Sequence, residues 1–361
     1  MGMKPNIQIC NIIMLNAIEA GDRSTALSVY RSLVQRELKP DEFTFAILLK
    51  ACKMNIDDAE LLNQIIRDAI ESVNLRKAEV VAFEILYCLI LHHTKHNRRT
   101  ALATVTDACA QLFDLQPLEK LGLPIPKRQQ QQSDRIMPLW PPAANLLITM
   151  SIEHVLSSQS DVEAVAALYV RWRELVDAGD PCLSHLATDD YTANIFLMAF
   201  IKHSNGLLHA SRVIRDMQRP LPPSARVTQC KPTVQSWSIF LHGFTRHGKP
   251  KLAEQILAYM RGQGIEPNHV TWSTLLTGYA RAQDEEGVLE GLRQVHESGF
   301  VWEEWMEGAT KSLKQKARVE EELQKAKLVK RLNFMEELKR ELEGRLSAAA
   351  DVAQEDSYRS S

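Results

Sequence analysis

The chain is short of every feature that would assign it a simple chemistry. Its 361 residues carry 43 Lys and Arg against 45 Asp and Glu, a formal net charge of −2. That balance excludes a uniformly basic surface for phosphates, so any nucleic-acid site must be a local groove. Aromatic residues make up only 6% of the chain, and the abundance of Leu, Ile, Ala, Glu, Lys and Arg favours helix over sheet. None of the cysteines, Cys10, Cys52, Cys88, Cys109, Cys182 and Cys230, forms a C-x-x-C pair; buried thiols in a reducing compartment are expected. No apolar run approaches the roughly 20 residues of a membrane span. The opening Met1-Gly2-Met3-Lys4-Pro5-Asn6 does not read as a signal or transit peptide. There is no Gly-rich phosphate loop, no nucleophile elbow and no H-x-E followed by C-x-x-C as in zinc deaminases. The expectation is therefore no enzyme, no cofactor and no small-molecule substrate. In the one histidine cluster, His92, His93 and His96, only His92 and His96 share a helix face, and no Cys or carboxylate recurs at the spacing of a zinc site's three or four ligands, so it reads as structural. The short basic stretches Lys127-Arg128 and Asn97-Arg98-Arg99 read as solvated surface.

What is present is a repeat. Setting VQSWSIFLHGFTRHGKPKLAEQILAYMRGQGIEPN above HVTWSTLLTGYARAQDEEGVLEGLRQVHESGFVWE, at a lag of 35, aligns Trp237 with Trp272, Leu241 with Leu276 and Gly243 with Gly278. Further along, Leu257 meets Leu292 and Gly264 meets Gly299. Each copy holds two amphipathic helices. In the first copy they are parted by Gly248 and Pro250 and closed by Gly262 and Gly264. Residues 7–41 form a third copy, with Gly21 in the place of Gly248, Ala26 of Ala253 and Pro40 of Pro267. A helix pair this short cannot bury both its faces, so the pairs must stack on one another. Trp237 and Trp272 are expected in that packing.

Other copies are worn: residues 42–76, 80–114, 142–180 and 190–233, the last with a Pro-rich insertion, RPLPPSARVTQC. The expected organisation is an N-terminal array over 1–114, a Pro- and Gln-rich linker over 115–141 dividing two half-arrays, and a C-terminal array over 142–303. A long amphipathic helix is expected over 304–350, where Leu328, Leu332, Met335, Leu338, Leu342 and Leu346 form a stripe among charges. A disordered tail over 351–361 is expected to follow it.

The closing Pro-Asp or Pro-Asn followed by Val-Thr-aromatic-Ser, as in GIEPN-HVTWSTLLTGYAR, and LKPDEFTF around Pro40, resemble the pentatricopeptide-repeat (PPR) motif. Three copies match it in length and landmarks, and about two-thirds of the chain is covered when worn copies are counted. The resemblance implies an all-α, right-handed superhelical solenoid of antiparallel helix pairs, and single-stranded RNA as the partner. In that family the fifth residue of the first helix and the last residue of the repeat read one base together.

Carried over by position, the base-reading pairs are Asn11 with Asp41, which the family associates with uracil, and Ser238 with Asn268, which it associates with adenine. Ser273 with Glu303 has no base assigned, because Glu is unusual there, and Asn194 with Thr233 is weakened by the intervening insertion. Ala46 makes the second repeat non-reading. The base-sandwiching second position holds Val270 in one copy but Gln8 and Gln235 in others, a departure from the usual branched apolar residue. Asp41 and Asn268 also suit the N-cap of the next helix. The resemblance implies an RNA-binding adaptor in mitochondrial RNA processing, stability or translation. The alternative is a protein-interaction scaffold of a mitochondrial ribosome or gene-expression complex. The near-neutral charge, the worn central repeats and the long charged helix, which offers a docking or self-association surface, favour that second reading. Lys325, Lys327, Lys330 and Arg331 of the helix are a further candidate RNA contact.

Overall fold

The structure, a computed structural model, describes residues 6–75, 77–125, 137–158 and 161–359, with the side chains of 158 and 344–359 excluded. Among the described residues the chain is helix and loop, with one isolated bridge between Phe113 and Met137. It divides into two compact units, Met1–Ala199 with Arg219–Cys230, and Phe200–Gln218 with Lys231–Ser361.

The first unit contains α1 (Ile7–Glu19), α2 (Arg23–Gln35), α3 (Glu42–Met54), α4 (Ala59–Ser72), α5 (Glu79–His96), α6 (Arg98–Leu112), α7 (Gln116–Lys120), α8 (Pro141–Ser158) and α9 (Val162–Asp177), and α10 (Tyr191–Phe200) ends at its boundary. The helices start where short polar side chains capture free backbone N–H groups: Asn6, Asp22, Asp41, Asp58 and Asp161 each accept from a residue three positions on. First helices of successive pairs pack in the order α1, α3, α5, α8, and each second helix packs against its own first. The shared core is apolar, built on Met14, Phe45, Leu48, Leu49, Ile65 and Val81. Ala26 is fully buried, leaving room for the closest helix approach.

The second unit contains α11 (Leu207–Gln218), α12 (Val234–Arg246), α13 (Pro250–Gly262), α14 (His269–Ala282), α15 (Glu285–Glu297), α16 (Glu304–Thr310) and α17 (Ala317–Arg359). Here α12, α14 and α16 pack as successive first helices. Gly278, aligned with Gly243 by the 35-residue lag, lies where α14 packs on α12, whereas Gly243 lies where α12 meets Ile201 and Leu207. A Cβ on Gly278 would come within 2.6 Å of the Thr245 side chain, and one on Gly243 within 2.6 Å of Ile201. Trp237 and Trp272 are buried, 3% and 0% exposed, as expected of packing residues.

Several boundaries differ from the sequence reading. The described parts of the 115–141 segment, residues 115–125 and 137–141, lie inside the first unit rather than between two halves. Its flanks are built into the fold: Leu115, Leu118, Leu121 and Leu139 are buried, Lys120 pairs with Asp180 at 2.8 Å, and Asp114 N–H donates to the Met137 carbonyl. Residues 126–136, which hold Lys127-Arg128 and the Gln run, lie outside the described residues. The insertion at 219–230 belongs to the first unit, where Arg173 donates to Gln229 at 2.7 Å and Cys230 N–H to the Ala187 carbonyl. The region after 303 is not one helix from 304: α16 is a short first helix of a further pair, and α17 takes the place of its second helix. That helix continues past 350 to Arg359, where a disordered tail is the sequence expectation.

The turn geometry repeats with the same lag. Gly264 and Gly299 close their helices at φ +75° and +85°, and Glu37 holds the equivalent place at φ +57°. Each is followed by an N–H bonded back to the helix, Ile265 to Met260, Phe300 to Val295 and Leu38 to Leu33. Between the helices of a pair, Gly21 and Gly248 adopt φ +79° and +70°, and Gln283 replaces them at φ +59°.

Candidate nucleic-acid interface

The structure joins the fifth residue of one repeat to the last through a hydroxyl that the sequence reading did not single out. Asn11 donates from Nδ2 to Asp41 Oδ1 at 3.0 Å. Thr44 Oγ1 lies 2.8 Å from Asn11 Oδ1 and 2.9 Å from Asp41 Oδ1, and Thr44 N–H donates to Asp41 Oδ1 at 2.9 Å. Asp41 thus caps α3 and orients Asn11 through one carboxylate oxygen.

The same arrangement recurs in the second unit. Ser238 Oγ donates to the Val234 carbonyl at 2.8 Å and lies 2.6 Å from Thr271 Oγ1. Thr271 Oγ1 is 3.1 Å from Asn268 Oδ1, and Thr271 N–H donates to that oxygen at 3.0 Å. Because a backbone N–H can only donate, Oδ1 of Asn268 must face Thr271, which turns Nδ2 away from the cap. Thr271 is fully buried and Ser238 is 5% exposed, so the hydroxyls form an internal relay and the half-buried Asn268 carries the accessible end.

Thr44 and Thr271 are both third in their helices, and Thr192 stands at the same register in DYTAN. Thr192 donates to Asn145 Oδ1 at 2.5 Å, and Asp189 accepts from Tyr191 N–H at 3.0 Å. Asn145, counted fifth from Pro141, and Asp189 are therefore a further fifth-and-last pair that sequence reasoning missed. The signal was present in the Thr of DYTAN, but the longer loop before it hides the 35-residue spacing.

In three further repeats the third position carries no hydroxyl. The fifth residues Ala46, Phe83 and Ser273 are followed, at the third position of the next first helix, by Val81, Ala143 and Met306. Ser273 is half-buried, and Glu303 caps α16 without a side-chain hydrogen bond, so the structure does not bind this pair together as it does the other two. Phe83 packs edge-on to Trp140 at 5.5 Å. Asn194 lies in the first unit, where its Nδ2 donates to Asp190 at 2.9 Å. Thr233 lies in the second unit and caps α12, accepting from Gln235 and Ser236 N–H groups.

The second position is open to solvent in most repeats, whereas Pro142 and Trp305, second in α8 and α16, are half-buried. Gln8 and Gln235 are exposed, and Val270 is 47% exposed. Phe43, Val80 and Tyr191, at the same register in worn repeats, are 66%, 59% and 55% exposed. Large apolar side chains left in water at one repeating position mark a contact surface rather than a core. These three were legible from the lag but were not singled out.

Most of the remaining candidates are already engaged within the chain. His92 Nδ1 meets the Ile56 carbonyl at 2.8 Å and His96 pairs with Asp57 at 3.0 Å; burial and the two neighbouring imidazoles push the His93 pKa down. No group of three or more His, Cys, Asp or Glu among the described residues could hold a metal ion. Lys325 pairs with Glu321 and Glu322, and Lys327 and Lys330 lie over the Trp302 ring. None of the described helices is long and apolar enough to cross a membrane.

Comparison with known proteins finds the same kind of repeat. Residues 232–281 match the family model described as the PPR repeat family, residues 1–55 the pentatricopeptide repeat domain, and residues 270–300 the PPR repeat. No curated protein matches the chain. Two solved structures of the pentatricopeptide repeat protein PPR10 in complex with an 18-nt psaJ RNA element, one of them a triple cysteine-to-serine variant, are similar in fold. Each has a TM-score of 0.54 and 20% identity over 86% of this chain. The match spans 38% of the length of those chains.

Proposed function

This chain belongs to the pentatricopeptide-repeat family, and on that premise we propose that it binds single-stranded RNA and reads bases through the fifth-and-last pairs. The observation that carries the reading is the repeated relay. Asn11–Thr44–Asp41 and Ser238–Thr271–Asn268 hold side chains of different hydrogen-bonding sense in one geometry. At the first pair, Oδ1 of Asp41 serves the cap, and Oδ2 remains an acceptor for a base N–H; Asn11 adds an amide donor beside it. An acceptor flanked by a donor matches the N3–H and adjacent carbonyl of uracil. At the second pair, Asn268 presents an N–H donor, which matches N1 of adenine and rejects the N–H at that place in uracil. The exposed apolar residues Phe43, Val80, Tyr191 and Val270 supply faces against which bases stack. PPR10, the similar protein, was crystallised on RNA. The chain acts as an adaptor that occupies a transcript in mitochondrial RNA processing, stability or translation; the mitochondrial setting rests on family resemblance.

The test is selection from a random single-stranded RNA pool with a salt titration, run beside the Ser238→Ala/Asn268→Ala variant. Enrichment of a short motif containing adenine, with selectivity lost at that base in the variant, is the expected result. Weak, steeply salt-dependent binding without a motif would reject base reading and favour the scaffold reading.

A further inference from the structure

Helix α17 leaves the body of the second unit after its first turns. Val319 and Leu323 are buried, and Lys327 anchors the root by pairing with Glu307 at 3.3 Å and lying 4.5 Å from the Trp302 ring centre. Every residue from Lys327 to Glu343 is exposed. A solitary helix in water gains nothing from burial and is only marginally stable. Yet this one carries Leu328, Leu332, Met335 and Leu342 at 58%, 54%, 55% and 52% exposure.

Their spacing is that of a coiled-coil seam. Leu328, Met335 and Leu342 recur every 7 residues as d positions, and Leu332 and Lys339 fall at the intervening a positions. The flanking positions then decide the partner. Arg331 falls at g and Glu336 at the e position of the following heptad. In a parallel pair of identical helices, Arg331 of each faces Glu336 of the other. An antiparallel pair would instead set e against e, Glu336 and Glu343, and Arg331 against its like. Within its own helix Arg331 has no ion pair among the described residues, and Glu336 has only an exposed contact of 4.0 Å with Arg340. Lys339 at an a position favours a single register at some cost in affinity.

We infer that α17 dimerises with a second copy of this chain as a parallel coiled coil through Leu328, Leu332, Met335 and Leu342. The inference is independent of base reading: either can fail alone.

Analytical ultracentrifugation of the full, nuclease-treated chain tests it. The expected result is a concentration-dependent rise from 40.9 kDa to twice that mass. Leu332→Glu/Met335→Glu should hold the chain at the monomer mass. Its thermal midpoint at low concentration should be unchanged, because both residues are solvent-exposed in the monomer. Arg331→Glu and Glu336→Arg should each weaken self-association about tenfold, and mixing the two variants should restore it as a heterodimer. A chain that stays monomeric at every attainable concentration overturns the proposal. So does a dimer that survives Leu332→Glu/Met335→Glu, or one that appears only when RNA or another protein is added. Charge reversals without effect, or a mixture that does not recover, overturn the parallel arrangement.

Discussion

Replacing Thr271 by Val separates base positioning from folding more sharply than any other single change. The side chain is fully buried, and its Oγ1 approaches Ser238 Oγ at 2.6 Å, Asn268 Oδ1 at 3.1 Å and the Asn268 N–H at 3.3 Å. Valine keeps the shape but not the hydroxyl, so it orphans the Asn268 N–H and removes one polar partner from a buried Ser238. The Thr271 N–H still reaches Asn268 Oδ1 at 3.0 Å, so half of the capping box survives. Leaving such groups unpaired costs about 1–3 kcal/mol, which denaturant unfolding followed by far-ultraviolet circular dichroism would resolve. The freed Asn268 side chain should also lose discrimination for adenine, by up to about tenfold if about 1.4 kcal/mol of orientation is lost. Fluorescence anisotropy with RNAs differing at one base reads that directly. Thr274→Val, which removes only a bond to the Val270 carbonyl on the same helix, serves as the control. A variant that is destabilised but discriminates bases as before would refute the relay as a positioning device and reduce Thr271 to a cap.

Glu37→Gly should stabilise the chain by about 0.5–1 kcal/mol, because Glu37 sits at φ +57° where Gly264 and Gly299 stand elsewhere. Gln283→Gly, at φ +59°, should destabilise it instead, since the Gln283 amide bonds the Ala280 and Ser312 carbonyls and accepts from Lys314 N–H; paired denaturation curves check both signs. Gly278→Ala should cost about 1–2 kcal/mol in the same assay, overpacking against Thr245 exceeding the gain in helix propensity. Burial raises the thiol pKa of Cys52 to about 11 and those of Cys88, Cys109 and Cys182 to about 12. At pH 8 these four therefore lack thiolate and should resist alkylation in the native chain, yet react fully in denaturant, as mass spectrometry would show.

Much of the fold was legible because its determinants are local. Helix periodicity, Asp and Asn caps, and glycines that end helices all act within a few residues, so residues 7–41, 234–268 and 269–303 could be aligned by lag alone. The same alignment located Asn11, Asp41, Ser238 and Asn268, because a repeating solenoid converts sequence register into spatial register. Where the spacing was broken, as between Asn145 and Asp189, the pattern disappeared from view although the register reappears in the structure.

By itself, then, the sequence determined the helical class, the repeat length and the register of the fifth-and-last pairs. Tertiary structure alone decided which pairs are locked, since the third-position hydroxyl reaches across 33 residues from Thr44 to Asn11 and from Thr271 to Ser238, and across 47 from Thr192 to Asn145. It also decided that the 115–141 flanks and the 219–230 insertion fold into the first unit, and that α17 stands clear of the body from Lys327. The physical reason is the same in each case. Propensity and capping are properties of neighbouring residues, whereas burial and long-range hydrogen bonds exist only once distant segments have met.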